Sequence, residues 1–102
     1  MRYIKVATLS QVPPGTVARV QANGETIALC NVDGHFDAIS DVCTHDMGPL
    51  AEGDLYGKEI QCPRHGARFD VTTGEVTELP AVEPVPTFPV RVQGDDIEVG
   101  VP

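Results

Sequence analysis

The sequence predicts an all-β fold, an antiparallel β-sandwich or barrel, and three observations support this prediction. Apolar and polar residues alternate in short runs, as half-buried strands require. Turn residues separate the runs, and the 10 glycines and 9 prolines among 102 residues disfavour long helices. The predicted strands are Tyr3–Leu9, Thr16–Val20, Thr26–Val32, His35–Ser40, Pro89–Val92 and Ile97–Val101.

Three chain reversals fit between or beside these runs. Asp33-Gly34 is a strong hairpin signal, because a type I′ turn needs positive φ at both central residues. Gly94-Asp95 predicts a second hairpin near the end of the chain, and "DVTTGEV" predicts a tighter reversal before Gly74. Antiparallel pairing of neighbouring strands follows from such short connections.

The chain length predicts one domain, residues 1–102, with a small subdomain at about residues 42–80. This segment is rich in glycine and holds two Cys/His pairs. The stretch "LPAVEPVPTFPV" follows it, with prolines at 80, 84, 86 and 89. Proline cannot donate to a sheet, so we expect a stiff connector that forms no central strand and lies across whatever the two Cys/His loops hold.

The formal charge of −8 argues against binding to nucleic acid or to an anionic membrane surface. The start, "MRYIKVATLSQVPPG", has no apolar run long enough for a signal peptide or a membrane span. We therefore expect a cytoplasmic protein with reduced thiols and no membrane partner. The acidic charge either serves solubility or steers the chain toward a basic partner.

The two Cys/His pairs predict a metal centre. Cys43 and His45 are one residue apart, Cys62 and His65 are two apart, and 16 residues separate the pairs. Two centres fit: a tetrahedral zinc with two Cys and two His, or a [2Fe–2S] cluster with two Cys on one iron and two His on the other. Zinc fingers pair like ligands at short spacing, whereas each pair here is mixed, which favours the cluster.

The motifs "CTH" at 43–45 and "CPRHG" at 62–66 resemble the two ligand loops of the Rieske iron–sulfur family, and the likeness continues through "RFDVTTGEV". The resemblance implies a Rieske-like fold with a cluster-binding subdomain. It also implies a [2Fe–2S] cluster held by Cys43, His45, Cys62 and His65. Neutral imidazole ligands make the cluster less negative than four thiolates would, so they raise its reduction potential.

The chain departs from the Rieske proteins of respiratory and photosynthetic complexes. That branch carries two bridging cysteines where this chain has Gly48 and Arg64, and hydroxyl donors where this chain has Ala67 and Phe69. Fewer hydrogen bonds to the sulfurs leave the reduced cluster less stabilised. The chain is thus similar to the soluble ferredoxins of ring-hydroxylating oxygenases, and we expect a potential near about −150 mV, the low end of the Rieske range.

The resemblance implies an electron carrier that takes one electron from a flavin-dependent reductase to a terminal oxygenase. Two alternatives stay open: a small Rieske-like subunit of a nitrite-reductase-type complex, and a structural Cys₂His₂ zinc module. Oxygenase activity of its own is not expected. Only His35 is left after the four ligands, too few for a site with two histidines and one carboxylate.

The remaining candidate residues receive structural roles. Cys30 is expected in the core and His35 on a surface hairpin. Arg64 and Arg68 are expected to pair with Asp46 or Asp70. Tight loops are predicted at Gly48, Gly53 and Gly66, and an apolar cover over the centre at Met47, Pro49 and Leu50.

Overall fold

The computed structural model describes residues 1–44 and 47–102, and the regular secondary structure there consists almost wholly of antiparallel strands. The predicted all-β class is confirmed. A three-residue 3-10 helix, Leu9–Gln11, follows the first strand. The strands are β1 Arg2–Thr8, β2 Val17–Ala22, β3 Glu25–Val32, β4 His35–Ser40, β5 Asp54–Tyr56, β6 Glu59–Gln61, β7 Arg68–Asp70, β8 Val76–Glu78, β9 Thr87–Phe88, β10 Val90–Gln93 and β11 Asp96–Val101.

Two of the three sheets pack around one hydrophobic core. Sheet A has the strand order β1-β11-β10, and sheet B has the order β2-β3-β4-β9. Their alternating apolar residues meet in a shared core that includes Ile27 and Leu29 from sheet B and Ile97 and Val99 from sheet A, all fully buried. Successive residues of β3 point to opposite faces, and both faces are buried: Ile27 and Leu29 lie in this core, whereas Ala28 and Cys30 lie in a second apolar cluster.

Two hairpins in sheet B use the same left-handed turn. Asp33 and Gly34 have φ of 53° and 91°, which confirms the predicted hairpin between β3 and β4. Asn23 and Gly24 have φ of 51° and 82° and join β2 to β3. The sequence reading missed this second turn, although Asn-Gly is as strong a signal as Asp-Gly.

The third sheet carries the region of the Cys/His pairs. Sheet C contains β5 to β8 in sequence order, and the chain enters it after β4 and returns to sheet B at β9. Its buried residues Ile60 and Phe69 join Ala28 and Ile39 of sheet B in one apolar cluster. We call this cluster the site core, and it fixes sheet C on sheet B.

The proline-rich connector forms an edge. β9 has two residues and pairs only with β4, at the border of sheet B. The backbone N–H of Ser40 donates to the Pro86 carbonyl at 2.9 Å, and that of Val85 donates to the Gly74 carbonyl at 2.8 Å. As the prolines predicted, the connector adds no central strand.

In the part of the chain that the structure describes, no helix has the length and apolar character needed to cross a membrane.

Candidate metal centre

The two Cys/His loops share one backbone frame. The N–H of Cys43 donates to the Gly48 carbonyl, and the N–H of Cys62 donates to the Ala67 carbonyl, both at 2.7 Å. In each case the acceptor lies five residues after the cysteine. Each cysteine carbonyl in turn accepts from the N–H four residues later, at 2.7 Å for Cys43 and 3.1 Å for Cys62. The two cysteines therefore occupy equivalent positions in two closed loops.

The position four residues after each cysteine is left-handed. Gly66 takes φ of 81° in the second loop, and Met47 takes φ of 63° in the first. A Cβ at Gly66 would also lie 3.3 Å from Nε2 of Gln61, so glycine suits this place on both counts. Met47 accepts the same backbone conformation at some steric cost, which the two hydrogen bonds of the frame offset.

Burial separates the thiols from the imidazole. Cys43 and Cys62 are at most 1% exposed and belong to the site core, and neither forms a disulfide. His65 is exposed. The predicted ligands His45 and, beside it, Asp46 lie outside the described residues. A centre with two inner thiolates and outer imidazoles fits this arrangement better than a site whose four ligands are equally buried.

A buried carboxylate anchors the first loop. The side chain of Asp41 is 3% exposed; its Oδ2 accepts from Nε of Arg19 at 2.6 Å, and its Oδ1 accepts from the N–H of Ala51 at 2.6 Å. Arg19 also donates to Glu52 at 2.9 Å. The hydrogen bond to Asp41, and then that to Glu52, raise the pKa of Arg19. Sheet B thus holds both ends of the segment that contains Cys43.

The sequence reading missed Asp41 and Arg19 because they are 22 residues apart and belong to no local motif.

Strand pairing anchors the second loop. Gln61 and Arg68 are register partners of β6 and β7, and Arg68 donates to Oε1 of Gln61 at 3.3 Å. The Arg68 guanidinium stacks over the Tyr56 ring, 4.3 Å from its centroid. Such stacking adds a cation–π attraction to the hydrogen bond. The second loop therefore starts and ends on one rigid hairpin.

The predicted pairing of Arg68 with Asp70 is wrong. Arg68 lies 3.6 Å from Glu59, and Asp70 lies 3.3 Å from Nζ of Lys58. Arg68 and Asp70 share a face of β7, but each meets an opposite charge from the β5–β6 hairpin instead: Glu59 at the start of β6 for Arg68, and Lys58 just before β6 for Asp70. Burial opposes ionisation of Asp70, but hydrogen bonds from Thr72 and the charge of Lys58 outweigh it and lower its pKa.

The connector forms a third side of the site. Thr44, the residue after Cys43, donates from Oγ1 to the Glu83 carbonyl at 2.6 Å. Ala81 and Val85 are buried in the site core together with both cysteines. The connector therefore packs against the first Cys/His loop and beside both cysteines; that it lies across what the loops hold stays a prediction.

The predicted apolar cover is divided in the structure. Leu50 is fully buried in the site core, whereas Met47 is 73% exposed. Cys30 is fully buried, as predicted, and burial followed by the charge of Asp37 raises its pKa to about 12. His35 is 73% exposed and lies 2.9 Å from Asp37, as a surface hairpin residue.

Among residues 1–44 and 47–102, no three Cys, His, Asp or Glu side chains lie close enough together to bind one metal ion. The set of four ligands therefore stays a prediction, since His45 is not described. What the structure shows of the site is the same backbone frame in both loops, the two buried thiols and the exposed His65.

Comparison with known proteins bears on the cofactor. The profile of the Rieske [2Fe-2S] domain matches residues 2–89. The ferredoxin component of the naphthalene 1,2-dioxygenase/salicylate 5-hydroxylase systems of Ralstonia sp. is 40% identical over 91 residues, covering 89% of this chain and 88% of its own.

Two solved structures share the whole architecture. The ferredoxin of carbazole 1,9a-dioxygenase from Nocardioides aromaticivorans IC177 is 37% identical, with a TM-score of 0.92 and 97% of both chains covered. A chain in the complex of reduced oxygenase and oxidized ferredoxin in carbazole 1,9a-dioxygenase is 38% identical, with a TM-score of 0.90 and 95% of this chain and 91% of that chain covered. The cofactor of this protein is thus a [2Fe–2S] cluster rather than zinc, its role is to carry electrons rather than to catalyse, and the chain belongs to the Rieske [2Fe–2S] family.

Proposed function

We propose that Cys43 and Cys62 bind the inner iron of the cluster and that His45 and His65 bind the outer iron. The observation that carries this proposal is the equivalence of the two loops: one hydrogen-bonded frame, used twice, points a buried thiol into the same core. The loops belong to a cluster-binding subdomain of about residues 42–80 within a single domain, 1–102.

The cluster supplies one-electron chemistry, and the chain sets its surroundings. The site core keeps water from the thiol side, which protects thiolates from exchange and oxidation. The exposed imidazole of His65 brings one edge of the centre to the surface, where a docked protein can reach it. Electrons enter and leave at this edge.

We further propose that the protein takes electrons from a flavin-dependent reductase and delivers them to a terminal oxygenase, in the cytoplasm. The relatives named above support this role, because they are ferredoxins of dioxygenase systems and one chain is solved in a complex with its oxygenase.

The ligand assignment is tested by His65→Ala beside His35→Ala. Both histidines are exposed, but only His65 lies in a Cys/His loop. We expect His65→Ala to abolish the electron paramagnetic resonance signal of the reduced Rieske cluster and His35→Ala to preserve it. A normal signal from His65→Ala would show that His65 is not a ligand.

The electron-transfer role is tested by reconstitution. NADH, a flavin reductase of a dioxygenase system, this protein and a terminal oxygenase are combined, and hydroxylated product is measured. We expect product to depend on this protein. If the reduced protein passes electrons to none of the terminal oxygenases tested, the proposed role is wrong.

A further inference from the structure

We propose that Leu79 and Val82 on the connector and Met47 on the first Cys/His loop form an apolar docking patch, which receives a lysine- and arginine-bordered apolar surface of the terminal oxygenase. This inference rests on the proposed function and adds to it which surface makes the contact. We call the three residues the docking patch.

Exposure singles out these residues. Leu79 is 70% exposed, Val82 is 78% exposed and Met47 is 73% exposed. They account for half of the strongly exposed large apolar side chains of the described chain. The others are Met1, Tyr56 and Val92. Exposed apolar side chains with carboxylates beside them are typical of a surface that another protein covers.

The docking patch stands on a fixed support. Leu79 and Val82 flank Ala81, which is fully buried in the site core. The hydrogen bond from Thr44 to the Glu83 carbonyl holds the next residue of the connector. A partner therefore meets side chains on an already ordered backbone, and binding costs less conformational entropy than binding to a mobile loop.

The acidic residues around the docking patch predict basic residues around the matching apolar surface of the partner. Residues 41–83 contain nine acidic and three basic side chains, so this segment carries −6 of the −8 formal charges. Glu78 and Glu83, next to Leu79 and Val82 in the chain, are both exposed. A partner with basic residues around an apolar centre would be attracted over a distance and then held by apolar contact.

Chain position and hydrogen bonding place the docking patch beside the first Cys/His loop. Val82 precedes Glu83, whose carbonyl binds Thr44, and Thr44 follows Cys43. Met47 comes four residues after Cys43, and its N–H donates to the Cys43 carbonyl at 2.7 Å. A protein seated on these side chains thus lies directly beside the loop that carries two of the proposed ligands.

The test is the double variant Leu79→Ser/Val82→Ser, assayed by oxygenase turnover with the ferredoxin as the varied substrate. We expect the apparent KM for the ferredoxin to rise about tenfold or more, as for truncated interface anchors, with kcat unchanged. The visible spectrum and the reduction potential should match those of the wild type, since both side chains point to solvent. The matched control is Val92→Ser, 46% exposed on β10 of sheet A, and its KM should not change.

A second variant tests the acidic border. In Glu78→Gln/Glu83→Gln, turnover at subsaturating ferredoxin should fall less steeply with added salt than in the wild type, because two steering charges are gone.

Each other outcome has a separate meaning. An unchanged KM for Leu79→Ser/Val82→Ser, or an equal rise in Val92→Ser, would overturn the docking patch while leaving electron transfer to the oxygenase intact. A raised KM seen only with the reductase as partner would also overturn it, since the surface would then serve the donor. A shifted reduction potential would mean that the residues act on the cluster itself. If the wild type reduces no oxygenase, the proposed function fails, and the docking patch fails with it.

Discussion

Replacing Gly74 with alanine should disrupt the support of the connector. Gly74 lies in the reversal between β7 and β8 with φ of 80°, and its carbonyl accepts from the N–H of Val85 at 2.8 Å. A Cβ at this position would overlap the Val85 carbonyl oxygen and lie 3.1 Å from Cγ2 of Thr87. The connector backbone would have to move, because a carbonyl group has no flexible end that could yield.

The expected cost has two parts. An alanine in the left-handed region costs about 1–2 kcal/mol. Displacing the connector also costs the hydrogen bond of Val85, about 1 kcal/mol, before any loss of packing of its 3% exposed side chain. We therefore expect the free energy of unfolding to fall by about 2–3 kcal/mol or more.

The control is Gly24→Ala in the β2–β3 turn. Gly24 has φ of 82°, nearly that of Gly74, but a Cβ there would meet no atom within 4 Å. It should therefore cost only the conformational part, about 1–2 kcal/mol. Urea denaturation followed by circular dichroism gives the free energy of unfolding of both variants, and the visible absorbance of the cluster gives the rate at which the cluster is lost.

Gly74→Ala should also lose its cluster faster than Gly24→Ala, since the connector covers the first loop through Thr44. Equal unfolding free energies for the two variants would refute the claim that the Val85 carbonyl holds Gly74 in place by close approach.

Three further predictions concern the anchors and the cluster. Asp41→Ala should cost about 1–3 kcal/mol of stability, because it leaves the N–H of Ala51 without its acceptor, and it should speed cluster loss. The control Glu98→Ala, which breaks the exposed pair with Arg91, should change neither stability nor cluster retention. Thermal unfolding and the absorbance of the cluster measure the two effects. The reduction potential should lie near about −150 mV by voltammetry, and a value well above zero would contradict the expected lack of donors to the sulfurs. Asp70→Asn should lower stability above pH 3.8, the ordinary pKa of this carboxyl. Because folding lowers that pKa, the stabilisation is present above 3.8 and is lost as pH falls through the lower folded-state value, so stability curves of variant and wild type should converge in acid.

The sequence predicted most of sheets A and B because their strands are long enough to alternate. β3 and β4 pair over six register positions, from Ile27 with Ser40 to Val32 with His35, and every buried position except Asn31 carries an apolar residue. The strands of sheet C have three residues each, too few for any period to be visible. They are held by pairing and by the site core, which the sequence does not reveal locally.

The site was predictable where it depends on residue type and hidden where it depends on distant contacts. Cysteine and histidine at short spacing indicate a metal centre by their chemistry alone. Asp41 and Arg19 are among many charged residues, and only the fold brings β2 to the start of the first loop. The same holds for Arg68, whose partners Glu59 and Tyr56 are set by the register of sheet C.

The shared frame of the two Cys/His loops has a consequence for orientation. The cysteines hold equivalent places in the frame, but His45 comes two residues after its cysteine and His65 comes three after its own. If both histidines bind the cluster as proposed, a half-turn that exchanges the thiols would therefore not exchange the imidazoles. A partner would then meet two different imidazole ligands, so rotating it by half a turn would give a different complex, and one docked orientation would be favoured over the other.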